Sequence, residues 1–419
     1  MRIGGFIFLA VILGLLFLMD WYVFQGIKSL TSNLQNQVLR QSIRWAHWII
    51  SIGLPLAIAV LYLNAGRMNP YFMFMGSLFI TMLITKAVFV AVLMGGDLFR
   101  VAEGSVKWLA HQAGAGDAGS FMPGRRKVVS QLALGVAAIP FTTFLYGITK
   151  GKYLFKVHRH TLWFDDLPAA FDGFTIAQIS DVHSGSFDDM DAVRRGVEMV
   201  NAQKADLFVF TGDLVNSVAS EFEPWVNVFK QIKAPFGQFS IFGNHDYGDY
   251  HHWPSEDAKR ANLQQLKDYH AAAGFRLLLD ENVEIEKDSE KISLLGVENW
   301  GVDFGKRGNL RKALTGVSPD NFKILLSHDP SHWDHEVKSF DQHIHLTLSG
   351  HTHGMQMGVE IPGFRWSPVK YRYPKWAGMY EEAGKFINVN RGFGYLGFAG
   401  RVGIWPEITV IELKRTGEV

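Results

Sequence analysis

The sequence predicts an α/β domain preceded by an all-α transmembrane region of about four helices. Three observations predict it. The long apolar runs crowd into residues 1 to about 150, the remainder alternates short apolar runs with polar stretches, and five of those short runs end in clusters of Asp, Asn and His. The first observation implies a lipid solvent and the second an aqueous one. The third implies chemistry.

Four stretches, approximately residues 3–24, 46–64, 71–94 and 128–148, are apolar over about the 20 residues that a helix needs to cross a bilayer. The predicted division is therefore a transmembrane anchor over 1–152 and a soluble domain over 153–419. A polar link carrying Lys28, Arg40 and Arg44 is expected between the first two spans, and a Gly- and Ala-rich loop over 114–124 between the last two. Basic residues in short loops favour the cytoplasm. One side holds Lys28, Arg40, Arg44, Arg100, Lys107, Arg125, Arg126 and Lys127; the other holds Arg2, Arg67, Lys150, Lys152 and Lys156. Eight against five places the catalytic domain outside a bacterial cytoplasmic membrane. Arg125-Arg126 before an apolar helix also reads as a twin-arginine export relic, with an ordinary positive-inside anchor as the plainer account. Lys86, inside the third span, is expected to snorkel toward the interface.

From about Lys152 onward, residues 174–180, 207–211, 238–242, 323–327 and 344–349 read as buried strands. Residues 190–200 and 255–273 between them read as helices. Alternating strands and helices predict helices packed on sheet faces. The five strands run into Asp181-Val182-His183, Gly212-Asp213, Gly243-Asn244-His245-Asp246, His328-Asp329 and Gly350-His351-Thr352-His353-Gly354. Loops at the carboxyl ends of strands converge in open α/β folds, so these groups are expected in one place. Burying so many ionisable groups without a metal would be costly.

The donor types narrow the ion. Imidazole and carboxylate suit Mn, Fe or Zn, and a chain with no cysteine offers no thiolate, no disulfide and no Cys nucleophile. So many ligands exceed what one catalytic ion with an open position takes. They suit two divalent ions about 3.5–4 Å apart, sharing a carboxylate and a bridging water that attacks a phosphorus ester. Forty-one Lys and Arg against 40 Asp and Glu give no electrostatic footprint for nucleic acid.

The order Asp-x-His, Gly-Asp, Gly-Asn-His-Asp, His, Gly-His-x-His resembles the calcineurin-like metallophosphoesterase superfamily, and most closely its membrane-attached YkuE/YaeI-like group. The resemblance covers about residues 153–415, including Asn390-Arg391-Gly392-Phe393-Gly394 and Arg401 with Pro406-Glu407-Ile408. It implies a four-layer α/β/β/α sandwich. It also implies one metal on Asp181, His183, Asp213 and His353, and a second on Asp213, Asn244, His328 and His351, with Asp213 bridging. His245 would be a general acid or a cation near the leaving group, with Asp246 orienting its imidazole. Met355 stands where relatives often carry a second Gly.

Arg391 and Arg401 are candidate phosphate ligands, since a guanidinium fork matches such oxygens. His251, His252, His332, His335, His343 and His345 fall outside the motif and are expected at the surface or in packing. The expected activity is hydrolysis of a phosphodiester or pyrophosphate bond in a membrane-associated phosphate ester. Relatives that cleave UDP-diacylglucosamine make a lipid-linked substrate one option, although that lipid is made in the cytoplasm and the charge count points the domain outward. A phosphomonoesterase acting on exported small molecules is the enzymatic alternative, and a non-catalytic, metal-stabilised envelope binding module the other. No protein partner is legible.

Overall fold

The computed structural model describes residues 3–65, 70–113 and 125–416. Two units divide the chain, Met1–Tyr146 and Gly147–Val419. The loop expected over 114–124, and Arg2 and Arg67 in the charge count, lie outside the described residues.

Four helices are long and apolar enough to cross a membrane: α1 (Ile3–Leu30), α2 (Gln37–Ala65), α3 (Pro70–Gln112) and α4 (Arg125–Thr149). Ile7, Phe8, Leu13, Leu15, Phe17 and Leu18 are exposed along α1, as lipid-facing residues are. All four overrun their expected spans, α2 and α3 by the most. Asn36 accepts a hydrogen bond from the Leu39 amide (3.0 Å), a cap that starts α2 early and draws Arg40 and Arg44 into it. Gly95-Gly96, just past the expected end of the third span at residue 94, lies inside α3, where a Cβ at Gly96 would strike Val129 of α4. Lys86 does not snorkel. Its Nζ lies 2.6 Å from Asp20 Oδ1 on α1 and donates to Ser51 Oγ on α2 (2.8 Å), while His47 Nε2 lies 3.0 Å from the Asp20 carbonyl. The counter-charge that the third span lacks is supplied by the first.

The second unit holds two six-stranded sheets. Numbered in chain order, one runs β1 (Lys156–Phe164), β14 (Glu407–Arg415), β2 (Thr175–Ile179), β3 (Leu207–Phe210), β4 (Gln238–Ser240), β5 (Arg276–Leu277). The other runs β12 (Gly378–Glu382), β13 (Lys385–Val389), β9 (Leu346–Ser349), β8 (Phe322–Leu326), β7 (Glu290–Gly296), β6 (Glu281–Lys287). β10 (Val359–Ile361) and β11 (Phe364–Trp366) form a separate hairpin. β2, β3, β4 and β5 are parallel, as are β7, β8, β9 and β13.

Side chains alternate across each strand, and the alternation builds the layers. Leu207 and Val209 of β3 meet Ile324 and Leu326 of β8 in the core between the sheets. Phe208 and Phe210 face outward to Phe275, beside α7 (Glu256–Ala272). α5 (Met190–Asn201) and the short α6 (Val226–Phe229) complete the helices that follow first-sheet strands. Beyond the second sheet, Leu325 and Ile387 join α8 (Leu310–Ala313) and Trp333 of α9 (Ser331–His335) in a separate cluster. The result is the four-layer α/β/β/α order. Ser255 caps α7 by accepting from the Ala258 amide, so this helix begins where the sequence places it.

Candidate metal centre

The five ligand-bearing loops leave β2, β3 and β4 of one sheet and β8 and β9 of the other, so the site straddles both. Backbone bonds stitch them together: Asp181 N donates to Gly212 O (2.9 Å), and Gly350 N to His328 O (2.9 Å). Gln178 reaches across from β2 to Ser349 O (2.9 Å). Asp181, His183, Asp213, His351 and His353 all hold left-handed backbone, with φ of 52°, 46°, 61°, 72° and 51°. Each such residue costs on the order of 1–3 kcal/mol, a strain that concentrates at functional sites. Two glycines permit the close approach. A Cβ at Gly243 would strike the Asp213 carboxylate, and one at Gly350 would strike Ser180 Oγ and the Asp181 carboxylate.

Two groups of side chains could each hold an ion: Asp181, His183 and His353, and Asp213, His328 and His351. Asp213 lies between them, with Oδ2 3.5 Å from His183 Nε2 and 3.1 Å from His328 Nε2. His353 Nε2 is 3.3 Å from Asp181 Oδ1. Asn244 joins the second group, its Oδ1 2.9 Å from His351 Nδ1 while its Nδ2 donates to Tyr250 OH (2.9 Å). All seven residues expected as ligands are thus brought together.

Hydrogen bonds select which nitrogen faces inward. His328 Nδ1–H donates to the Thr211 carbonyl (2.7 Å), leaving Nε2 for the site. His245 Nδ1–H donates to the Asn216 carbonyl (2.6 Å), leaving its Nε2 uncommitted, and its ring meets His183 edge-on at 4.9 Å. Asp246 does not orient that imidazole as expected. Its carboxylate accepts from the amides of Asp213, Leu214 and Gly243, each at 2.8 Å, and so fixes the loop that carries Asp213.

Arg391 and Arg401 are also placed otherwise than expected. Arg391 is buried in ion pairs with Glu407 (2.5 Å) and Glu360 (2.6 Å). Arg401, fully buried, donates from Nε to the Gly394 carbonyl (2.9 Å) and from Nη2 to that of Gly392 (3.1 Å). Arg401 lies behind His353, its Nη2 3.4 Å from that residue's Nδ1, and both guanidiniums are buried and bonded to the protein instead of open to solvent. The remaining histidines divide as expected. His251, His252, His335 and His343 are exposed, His332 is buried against Ser327 and Trp300, and His345 pairs with Asp166.

Two residues of the site carry no motif. Tyr373 OH lies 2.9 Å from His351 Nε2 and donates to Asp329 Oδ2 (3.3 Å), which is itself 3.4 Å from that nitrogen. Asp329 follows His328 directly, so adjacency was a signal. Tyr373, 22 residues from His351, had none.

The donor set fits divalent cations. Both ring nitrogens of His183 and Nε2 of His328 are buried without a hydrogen-bond partner. Burial pushes His183 down to about 3 and His351 down to about 4, keeping both imidazoles in the neutral form that binds metal. Burial also pushes Asp181 up to about 6, with Asp213 adding to it, so the two carboxylates crowd one another. Burial opposes a charge on His328, yet the Asp213 carboxylate beside it wins and raises it to about 10. A cation would relieve both conflicts.

Residues 1–152 match the family described as "Probable Calcineurin-like phosphoesterase, transmembrane domain", and residues 174–355 match "Calcineurin-like phosphoesterase". The chain is 30% identical over 267 residues to the uncharacterized metallophosphoesterase YkuE of Bacillus subtilis, covering 63% of this chain and 87% of that protein. It is 30% identical over 262 residues to a transmembrane protein with metallophosphoesterase domain of Bos taurus, covering 59% of this chain and 54% of that one. Phosphodiesterase YaeI of Escherichia coli is 26% identical over 300 residues, with 70% and 100% covered. A membrane-spanning region, a strained cluster of nitrogen and oxygen donors between two sheets, and these relatives agree: the chain is a metallophosphoesterase of the calcineurin-like family.

Proposed function

We propose that this protein is a binuclear hydrolase that cleaves a phosphodiester or pyrophosphate bond at a membrane surface. The position of Asp213 carries the reading, since one carboxylate lies within 3.5 Å of an imidazole from each ligand group. Asp181, His183, Asp213 and His353 would hold one ion, and Asp213, Asn244, His328 and His351 the other. Manganese, iron or zinc bound there would supply Lewis-acid polarisation of phosphoryl oxygens and a water of lowered pKa. The chain's own part in the chemistry falls to His245. Its Nε2 faces the site and can carry a proton to the oxygen that leaves as the phosphorus–oxygen bond breaks. Asp246 acts on Asp213 through the backbone, not on the proton.

The name phosphodiesterase borne by YaeI favours a diester over a monoester. The spanning helices tether the second unit to a bilayer, which favours a lipid-linked phosphate ester as substrate. Orientation with the second unit outside the cytoplasm rests on the basic-residue count. The test of the activity is hydrolysis of bis(4-nitrophenyl) phosphate by the purified protein with Mn²⁺. Turnover is expected with metal and not after chelation; hydrolysis unaffected by chelator would sink the metal-dependent reading. Lipid extract incubated with active protein, followed by mass spectrometry of the products, then identifies the substrate. A lipid fraction left unchanged by an otherwise active protein rejects the lipid-linked class.

A further inference from the structure

The β10–β11 hairpin is amphipathic in the wrong sense for a soluble protein. Its register pairs Val359 with Trp366 and Ile361 with Phe364, and Glu360 with Arg365 between them. Directly opposed residues share a face, so four apolar side chains line one side and the charged pair the other. An antiparallel ribbon on a protein surface ordinarily turns its apolar side inward. Here the charged side is the one engaged with the protein. Glu360 pairs with the buried Arg391 (2.6 Å), and Arg365 lies over the rings of Trp376 and Tyr380. Three of the four apolar side chains are left outside, Val359 43%, Ile361 59% and Phe364 55% exposed, while Trp366 is half-buried and Arg365 is itself exposed. Gly363, at φ 79°, closes the turn between the last two.

We propose that this hairpin docks on the bilayer, setting Ile361 and Phe364 among lipid chains beneath anionic headgroups. Three features of the second unit favour a membrane over a protein partner. The unit begins at Gly147, inside the spanning helix α4, so it is never far from lipid. The hairpin grows from that same edge: Arg401 N donates to Gly147 O (3.2 Å), Val402 N to Gln356 O (2.7 Å) and Gly358 N to Val402 O (2.9 Å). The sequence just beyond β11 is Lys370-Tyr371-Arg372, all exposed, an aromatic between two cations as found at headgroup depth. In sequence the hairpin lies between the candidate ligand His353 and Tyr373, so docking would tie to lipid the segment that carries two residues of the site. That deepens the lipid-linked reading of the substrate, on which the docking geometry does not itself depend.

A chain without cysteine makes the test direct. Phe364→Cys and, as a reference on the exposed side of α7, Gln264→Cys are labelled with an environment-sensitive fluorophore. The full-length protein is placed in nanodiscs of phosphatidylglycerol and phosphatidylcholine. The expected result is strong quenching at position 364 by nitroxide-bearing lipids and protection there from aqueous iodide, with the reverse at 264. Replacing phosphatidylglycerol by phosphatidylcholine, or adding Lys370→Glu, should weaken the lipid quenching. Iodide quenching at 364 equal to that at 264 would overturn the proposal. So would shielding from both quenchers, which would mean that a protein surface covers the hairpin. Lipid quenching that ignores headgroup charge would overturn the anionic part. None of these readings needs a substrate, so the docking can fail while the hydrolase reading stands, and the reverse.

Discussion

His245 shares with His328 an Nδ1 tied to a backbone carbonyl and a free Nε2, but it belongs to neither group of side chains that could hold an ion. His245→Ala should therefore retain bound metal and lose on the order of 10²–10⁴-fold in kcat, the usual worth of a general acid. Asp213→Asn should lose metal and activity together. Metal content by mass spectrometry beside hydrolysis rates distinguishes the two, and equal metal loss in both variants would reject the assignment. Tyr373→Phe and Asp329→Asn remove groups that hold His351 from behind; roughly 10–100-fold weaker metal binding by calorimetry is expected, with the fold intact. At this scale the sequence was legible wherever chemistry is local. Asp-x-His and Gly-His-x-His present their donors within three residues. Asp246 was misread because, beside the Gly243 amide of its own loop, it accepts from amides of another loop, at 213 and 214. Arg391 was misread because its counter-charges, Glu360 and Glu407, lie 31 and 16 residues away.

Among the elements, buried strands were the most readable. β2, β3 and β8 are buried on both faces and lie within two residues of their expected bounds. β1 was missed: Lys156-Val157-His158-Arg159-His160 carries the polar side of a sheet edge and no apolar run. α7 supplies a pH effect. His270 is buried against Ser240 Oγ (2.8 Å), and burial alone lowers it to about 3 from an ordinary 6.5. The unfolded chain thus takes up a proton below 6.5 that the folded chain refuses until about 3. Stability should fall across that window as pH drops, by about 1.4 kcal/mol per pH unit. His270→Leu should flatten the slope of the unfolding midpoint against pH; an unchanged slope would count against this. In the membrane unit, Asp20 and Lys86 make a complementary prediction. Asp20→Asn leaves a cation unpaired in an apolar helix bundle, at a cost of about 2.5–3.5 kcal/mol. Asp20→Leu with Lys86→Leu should recover most of it, as measured by thermal unfolding in detergent.

For the whole molecule, the division into a lipid-soluble and a water-soluble half was plain from hydropathy, because the two solvents demand different compositions. The side of the membrane was not equally plain, since Arg40, Arg44, Arg100 and Lys107 belong to helices instead of loops. A phosphatase reporter fused after Val419 should be active only outside the cytoplasm; activity inside would reverse the orientation. Metal should also act on the molecule as a whole. An ion at a hundredfold excess over its Kd stabilises by about 2.7 kcal/mol, read as a raised unfolding midpoint that chelator abolishes.

Asp181, His183, Asp213 and Asn244 follow strands of one sheet, while His328, His351 and His353 follow strands of the other. Mechanically, ions bound there would be rivets through two plates. With both rivets in, sliding one plate over the other would have to stretch coordination bonds; with them drawn, only hydrogen bonds and side-chain packing would resist shear. Hydrogen exchange should show this as a slowing at the ends of β2 and β9 together when metal is added, with α7 unchanged. Any partner that levers the plates apart would then loosen catalysis without touching a ligand.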